Sequence, residues 1–109
     1  MAYSENLAER IRRQLSDRRG FTEKEMFGGI GFLLGGNMCV GIWKNSLIAR
    51  VGPARYEEAL QEEFVGEFDI TGRAMKGWVV VAPEGIDDDS QLRVWIEQAV
   101  LFVETLPPK

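Results

Sequence analysis

The sequence predicts an α+β fold, a two-layer sandwich in which three helices accompany an antiparallel sheet of about five or six strands. Helical periodicity occurs near the beginning, middle and end of the 109 residues, and two-residue periodicity fills the stretches between. In addition, glycine- and asparagine-containing turns separate the short strand candidates. The resulting order is α-β-β-β-β-α-β-β-α, which favours two layers, and the length favours a single domain over residues 1–109.

The first predicted helix covers about residues 4–18. Ser4 is a suitable N-cap for it, and Gly20 follows as a natural stop. Its apolar side chains recur at helical spacing and form one stripe, which consists of Leu7, Ala8, Ile11 and Leu15. The stripe indicates an amphipathic helix.

Four strand candidates follow between residues 22 and 51. They are a strand that ends at Met26 and Phe27, then residues 30–35, 38–43 and 47–51. Gly36-Asn37 is predicted as the turn between the second and third candidates, because both residues tolerate positive φ, and Lys44-Asn45-Ser46 is predicted as the next turn. Short strands joined by tight turns imply an antiparallel meander.

The second half of the chain contains two further helices and one or two strands. A short helix is predicted to begin at Gly52-Pro53, with proline at its first position. The connector after it contains a short strand candidate, Phe68-Asp69-Ile70, and residues 77–82 form a stronger one. The last helix, about residues 89–105, has an unusually wide apolar face, so we expect it to be the central helix packed on the sheet.

Large apolar residues fall on both faces of the predicted sheet. Strand parity places Leu33, Trp43 and Ile48 on the face opposite Phe32 and Ile42. Because three helices cannot easily cover both faces, we expect another chain to cover part of the second face, most simply in a symmetric homodimer.

Composition narrows the class of protein. The formal net charge of −4 argues mildly against a dedicated nucleic-acid binder. A single cysteine precludes an intramolecular disulfide and suits a reducing compartment, and the first residues show no signal-peptide pattern. No apolar run approaches the roughly 20 residues that a membrane span needs. We therefore expect a cytoplasmic protein without membrane association.

The residues that usually perform catalysis are missing or poorly placed. The chain contains no histidine, the commonest general base and metal ligand. Cys39 lies mid-strand between apolar neighbours, so we expect a small core or interface residue instead of a reactive thiolate. Asp87-Asp88-Asp89 lacks the alternating spacing of a cation-binding loop and suits helix capping. We therefore predict no enzyme activity, no cofactor and no metal.

The stretch Met26-Phe27-Gly28-Gly29-Ile30-Gly31-Phe32 has the glycine content of a phosphate-binding loop. Such a loop requires Gly-Lys-Ser/Thr opening a helix, or a glycine turn between a strand and a helix, whereas here a strand follows a strand. We predict a fold-defining turn instead, in which glycines allow positive φ, a bulge or the close approach of another element. Its residues are Met26, Phe27, Gly28, Gly29 and Gly31.

An arginine-rich segment covers residues 10–19, with five arginines, one aspartate and a net charge of +4. Direct nucleic-acid binding through Arg10–Arg19, with Arg73 and Lys76 assisting, is therefore an alternative function. The competing interpretation is that arginines near a helix C-terminus offset the helix dipole and that Arg13 pairs with Asp17. We favour the second interpretation and keep the first as an alternative.

A second charged stretch runs from Thr71 to Trp78 and combines two cations, two glycines and a tryptophan. It suits either an anion- or protein-contact surface or a glycine turn whose tryptophan packs into the core. The candidate interaction surface joins this stretch to the uncovered sheet face, and its residues are Arg73, Lys76, Trp78, Trp43, Leu33 and Ile48.

Four stretches of the sequence, taken in their order along the chain, resemble the N-terminal domain of the TfoX/Sxy family of competence regulators. They are Met-Phe-Gly-Gly-Ile-Gly-Phe at 26–32, Gly-Asn-Met at 36–38, Leu-Ile-Ala-Arg-Val-Gly at 47–52 and Gly-Arg-Ala-Met-Lys-Gly-Trp at 72–78. The resemblance covers nearly the whole chain, although Ala74 stands where many relatives have proline. It implies a two-layer α+β domain with a secretion-chaperone-like shape and carries over no catalytic residue.

The resemblance also implies a kind of function. Family members with two domains are described as positive regulators of natural-competence genes that act with a global transcription activator. Because the chain ends at Lys109, just after the first domain, we expect a standalone domain. The hypothesis is a non-catalytic regulatory module that binds a protein partner and forms a homodimer. Direct nucleic-acid binding and small-ligand binding remain the alternatives.

Overall fold

The computed structural model describes residues 3–26, 28–69 and 72–109, and three helices pack on one face of a six-stranded antiparallel sheet. The strand order across the sheet is β1-β2-β3-β4-β6-β5. The predicted α+β class and order of elements are confirmed. In chain order the elements are α1 (Glu5–Leu15), β1 (Phe21–Met26), β2 (Gly29–Leu34), β3 (Asn37–Trp43), β4 (Ser46–Arg50), α2 (Pro53–Leu60), β5 (Val65–Glu67), β6 (Trp78–Val81), a short 3₁₀ helix (Pro83–Ile86) and α3 (Asp89–Val103).

Side-chain caps begin the two longest helices. Ser4 Oγ accepts the backbone N–H of Leu7 at 3.2 Å, as the sequence predicts for α1. At α3, Asp88 accepts the backbone N–H of Gln91 at 2.8 Å, and the Gln91 side chain accepts the backbone N–H of Asp88 at 3.0 Å, which completes a capping box. Both helices end within one turn of their predicted ends. No helix within the described ranges has both the length and the apolar character needed to cross a bilayer.

The core lies between the helices and one face of the sheet, which we call the helix face. From α3 it takes Leu92, Trp95, Ile96, Ala99, Val100 and Val103. From the sheet it takes Ile30, Phe32, Leu34, Cys39, Val40, Ile42, Leu47, Ala49, Val79 and Val81. Phe32 is completely buried, and its ring stacks on that of Phe21 with 6.1 Å between the centroids. The wide apolar face of the last helix therefore has the central position that the sequence predicts.

The turn between β2 and β3 lies one residue earlier than predicted. Its central residues are Gly35 and Gly36, with φ of 59° and 84°, which suits a two-residue hairpin turn. The prediction of Gly36-Asn37 was wrong because the two adjacent glycines adopt positive φ at lower cost. Asn37 begins β3 instead, is only 4% exposed, and donates from Nδ2 to the Pro107 carbonyl at 2.9 Å. The amide therefore attaches the C-terminal segment to the hairpin.

A register shift between β2 and β3 changes which side chains face the core. Phe32 pairs with Val40 and Leu33 with Met38, so Cys39 is an extra residue in β3. Strict alternation would place Cys39 on the same face as Trp43, but the bulge lets both Cys39 and Val40 reach the core with no exposed surface.

The strand in the connector lies earlier than the sequence predicts. It is β5 at Val65–Glu67, and neither Phe68 nor Asp69 belongs to it, while Ile70 lies outside the described residues. The prediction failed because the pairing partners of β5 are set by distant residues. Val65 pairs with Val81, and Tyr56 of α2 donates from its hydroxyl to Glu67 at 3.3 Å.

Replacing Asn37 should destabilise the fold. In Asn37→Leu the carbonyl of Pro107 loses its hydrogen bond from the buried amide, so we expect the free energy of unfolding to fall by about 0.5–1.5 kcal/mol in urea denaturation. The exposed Asn6→Ala is the matched control and should change it by less than about 0.5 kcal/mol. Equal stabilities for Asn37→Leu and the parent chain would show that the bond to Pro107 contributes nothing.

Candidate functional site

The face of the sheet opposite the helices, which we call the helix-free face, holds most of the predicted interaction surface. Cross-strand register places Leu33, Trp43, Ile48 and Trp78 on it. Leu33, Trp43 and Trp78 are half-buried, but Ile48 is only 4% exposed. A partner at this face would therefore contact Leu33 and the two indoles, with Ile48 beneath them.

The chain covers part of the helix-free face by itself. Phe68, in the connector between β5 and β6, is 2% exposed, and its ring centroid lies 6.0 Å from that of Trp78. The Phe68 carbonyl accepts the backbone N–H of Met75 at 3.1 Å, which folds the connector back on itself. Phe68 and Ile48 are buried outside the main core, so the connector performs some of the covering that the sequence assigned to another chain.

The two predicted cations of this surface lie in the same connector. Arg73 and Lys76 are both exposed. Gly77 follows them, and its carbonyl accepts the backbone N–H groups of Val51 and Gly52 at 2.9 and 3.0 Å. The stretch is thus a glycine turn with a packed tryptophan, and it also presents two cations beside the helix-free face.

Arg50 joins three of the sequence stretches that carry the family resemblance, and the sequence analysis missed it. Its guanidinium carbon lies 5.0 Å from the ring centroid of Trp78 and 5.5 Å from that of Phe102. Its Nη1 also donates to the carbonyl of Met38 at 3.4 Å. A cation between two aromatic rings stabilises the arrangement of the strand ends. Arg50 lies opposite Trp78 in the β4–β6 ladder. This proximity depends on the pairing of two strands that are far apart in the sequence, so no local pattern predicts it.

The predicted fold-defining turn joins β1 to β2. Met26 pairs with Gly29 across the turn, and Gly28 has a φ of 75°. A Cβ atom at Gly29 would overlap the carbonyl oxygen of Ile42, so the backbones of β2 and β3 approach too closely for a side chain there. Gly31 is buried and pairs with Gly41, while Phe27 lies outside the described residues. Backbone geometry explains Gly28 and Gly29 without a bound phosphate.

The arginine-rich segment is largely occupied by contacts within the chain. Arg10 pairs with Asp89 at 2.9 Å and donates to the carbonyl of Ile86 at 2.7 Å. Two more arginines form ion pairs: Arg12 with Glu23 at 2.7 Å, and Arg18 with Glu97 at 3.0 Å. The predicted pair of Arg13 with Asp17 is not among the ion pairs of the described residues. These arginines thus attach α1 to β1 and α3.

Cys39 is enclosed by the core and has no exposed surface. Burial raises the pKa of the Cys39 thiol to about 12, although the charges of Arg18 and Arg50 oppose this rise. A thiol with this pKa carries almost no thiolate near neutral pH, so Cys39 is a small apolar core residue there.

A groove of about 400 Å³ opens on the helix-free face beside β5. Trp43 and Phe64 lie along it, and Gly66 and Val80 contribute to its lining from the two neighbouring strands. Asp69 lines it as well. Trp43 is thus the member of the predicted interaction surface that also borders a cavity.

Comparison with protein families identifies the chain. The model of the TfoX N-terminal domain family matches residues 13–103. The chain belongs to this family. No curated protein and no solved structure matches it. The TfoX N-terminal domain is not a known enzyme family, and the match confirms the resemblance found in the sequence.

The thiol of the TfoX N-terminal domain should resist alkylation while the chain is folded. At pH 8 the rise of the Cys39 pKa from 9.0 to about 12 leaves roughly a thousandfold less thiolate than in the unfolded chain. We expect iodoacetamide, followed by mass spectrometry, to modify Cys39 rapidly in urea and very slowly in buffer. Comparable rates in the two conditions would contradict the burial of this thiol, and Cys39→Ser measures the background.

Removing the Arg50 guanidinium, which lies near the rings of Trp78 and Phe102, should destabilise the domain. Arg50→Met keeps most of the aliphatic stem and loses the guanidinium, so we expect urea denaturation to show a loss of about 1–2 kcal/mol in the free energy of unfolding. Arg50→Lys should recover only part of it, because an ammonium lacks the planar surface that stacks on both rings. Arg55→Met removes an exposed arginine of α2 and serves as control; a loss as large as that of Arg50→Met would contradict a specific role for the stack.

Proposed function

We propose that this TfoX N-terminal domain is a non-catalytic regulatory module that acts in the cytoplasm through protein contacts. The contact surface comprises the helix-free face and the connector beside it. The observation that carries the proposal is the presence of two half-buried indoles on the helix-free face, Trp43 and Trp78, together with the exposed cations Arg73 and Lys76 of the connector. Aromatic and arginine side chains are the commonest anchors of protein interfaces.

A non-catalytic role agrees with the side chains that the chain provides. The sequence has no histidine, and its one thiol is enclosed in the core. The resemblance to competence regulators supports a role in the control of transcription, exerted through a partner protein. The paired arginines of the segment 10–19 favour protein contacts over nucleic-acid binding, because Arg10, Arg12 and Arg18 already have carboxylate partners.

The simplest partner is a second copy of the chain. A symmetric dimer through the helix-free face would bury Leu33 and Trp43 of both copies and complete the covering that the connector begins. Phe68 packs against Trp78 of β6, whereas Leu33 and Trp43 lie on β2 and β3 and remain half-buried.

Sedimentation equilibrium tests the dimer. We expect the 12.3 kDa chain to associate at micromolar concentration, and Leu33→Lys to raise the dissociation constant at least about tenfold, because two like charges would then face an apolar surface. Leu101→Lys makes the same change at an exposed position of α3, on the other side of the sheet, and should leave the constant within about twofold. A parent chain that remains monomeric at these concentrations would contradict the dimer.

A partner other than a second copy would be detected by capture from native host lysate. The Arg73→Ala/Lys76→Ala variant should lose a protein that the parent chain retains, and Arg55→Ala should retain it. Equal recovery by all three chains would contradict the assignment of the connector to the contact surface.

A further inference from the structure

The strand β5 contributes a glycine, and therefore no side chain, to the floor of the groove. Gly66 occupies the middle of β5 opposite Val80, and a Cβ atom added at Gly66 would meet nothing within 4 Å. Glycine weakens a strand and often marks a place where another chain or a ligand comes close to the backbone. Here neither a turn nor a crowded neighbour explains the glycine, and its missing side chain leaves room in the groove.

One wall of the groove is an aromatic residue with an unusual backbone. Phe64 has a φ of 68° and is 49% exposed, although bulky residues rarely adopt positive φ. Its carbonyl accepts the backbone N–H of Ala82 at 2.8 Å, which fixes it at the edge of the sheet. The opposite wall is Trp43 of β3. The groove therefore lies between two aromatic side chains, one of them half-exposed.

The end of the molecule around β5 carries negative charge that no ion pair among the described residues neutralises. Residues 56–69 contain six carboxylates and no lysine or arginine. All six carboxylates are exposed, and none belongs to an ion pair among the described residues. Asp69 brings this charge to the groove, and Lys44, 4.6 Å above the Trp43 ring, is the cation near the opposite wall. The charge at this end therefore favours a positively charged partner.

We infer that this groove docks an extended, basic segment of a partner protein. A lysine or arginine side chain of that segment enters along the exposed ring of Phe64 and directs its charge toward Asp69, since cations are attracted to aromatic faces and to carboxylates. A neighbouring apolar side chain fills the space above Gly66. The inference rests on the proposed function. It adds that the partner segment bound at the β5 end of the helix-free face is basic.

A second copy of the chain fits this groove less well than a foreign segment. The basic part of the chain is the segment 10–19, in which Arg10, Arg12 and Arg18 are held by carboxylates of the same molecule. Docking of one copy on the next would also be head-to-tail and would not close at a dimer. Self-association through the groove is therefore an outcome that the test must separate from peptide binding.

A defined peptide tests the groove directly. The probe is a fluorescein-labelled peptide of sequence Val-Lys-Val-Arg-Val-Lys, and the same peptide with glutamate at the charged positions is the control. Fluorescence anisotropy with the full chain at low salt should show binding of the basic peptide only. The affinity should decrease at higher ionic strength, because exposed charges are screened.

Two substitutions locate the binding site. Gly66→Ile fills the groove and suits a strand, so it should raise the dissociation constant at least about tenfold while leaving the melting temperature unchanged or higher. Asp69→Asn should raise the constant by about three- to tenfold. Glu57→Gln removes the same charge from the exposed side of α2 and should change it by less than about twofold.

The inference is wrong if the basic peptide does not bind, if Gly66→Ile binds it as the parent chain does, or if Glu57→Gln weakens binding as much as Asp69→Asn. It is also wrong if Gly66→Ile abolishes self-association of the chain in the absence of peptide, because the groove would then hold a second copy. If peptide binding fails while Leu33→Lys still disrupts the dimer, the proposed function stands and only the groove assignment is lost.

Discussion

The packing of α3 onto the central strands is the interaction on which the rest of the structure depends. Leu92, Ile96, Ala99 and Val100 are at most 1% exposed, and burial of a leucine, isoleucine or valine stabilises a fold by about 1.5–3 kcal/mol. α1 and α2 complete the same layer, and the segment after α3 is attached to the β2–β3 hairpin through Asn37. All three helices thereby use their apolar faces on one side of the sheet.

No helix of the described residues covers the opposite side, and the features of the site follow from this. The connector brings Phe68 against Trp78, and Phe68 and Ile48 are both buried, so part of the second face is covered without another helix. The remainder stays accessible around Leu33 and Trp43, where it meets the groove beside β5. An α+β domain with helices on one side only thus presents apolar surface where a partner can approach.

Charge divides the molecule along the strand order. At one edge of the sheet Arg12 pairs with Glu23 of β1, and Arg10 and Arg18 are neutralised by carboxylates of α3. The unpaired carboxylates of residues 56–69 surround β5 at the other edge, about 24 Å away for five strand spacings. The net charge of −4 therefore understates the negative potential near β5. The carboxylates there form no ion pair among the described residues, whereas the arginines near the opposite edge do.

Periodicity in the sequence determined the class of fold, the order of elements and the central place of α3, because each depends on spacing that is visible along the chain. The family motifs and the core role of Cys39 were likewise available from the sequence. Tertiary structure alone decided the rest. The bulge at Cys39, the position of β5 and the stack of Arg50 on Trp78 depend on which strands pair. The contact of Phe68 with Trp78 depends on the folding of a connector without regular structure. These contacts join residues far apart in the chain, so no local pattern could specify them.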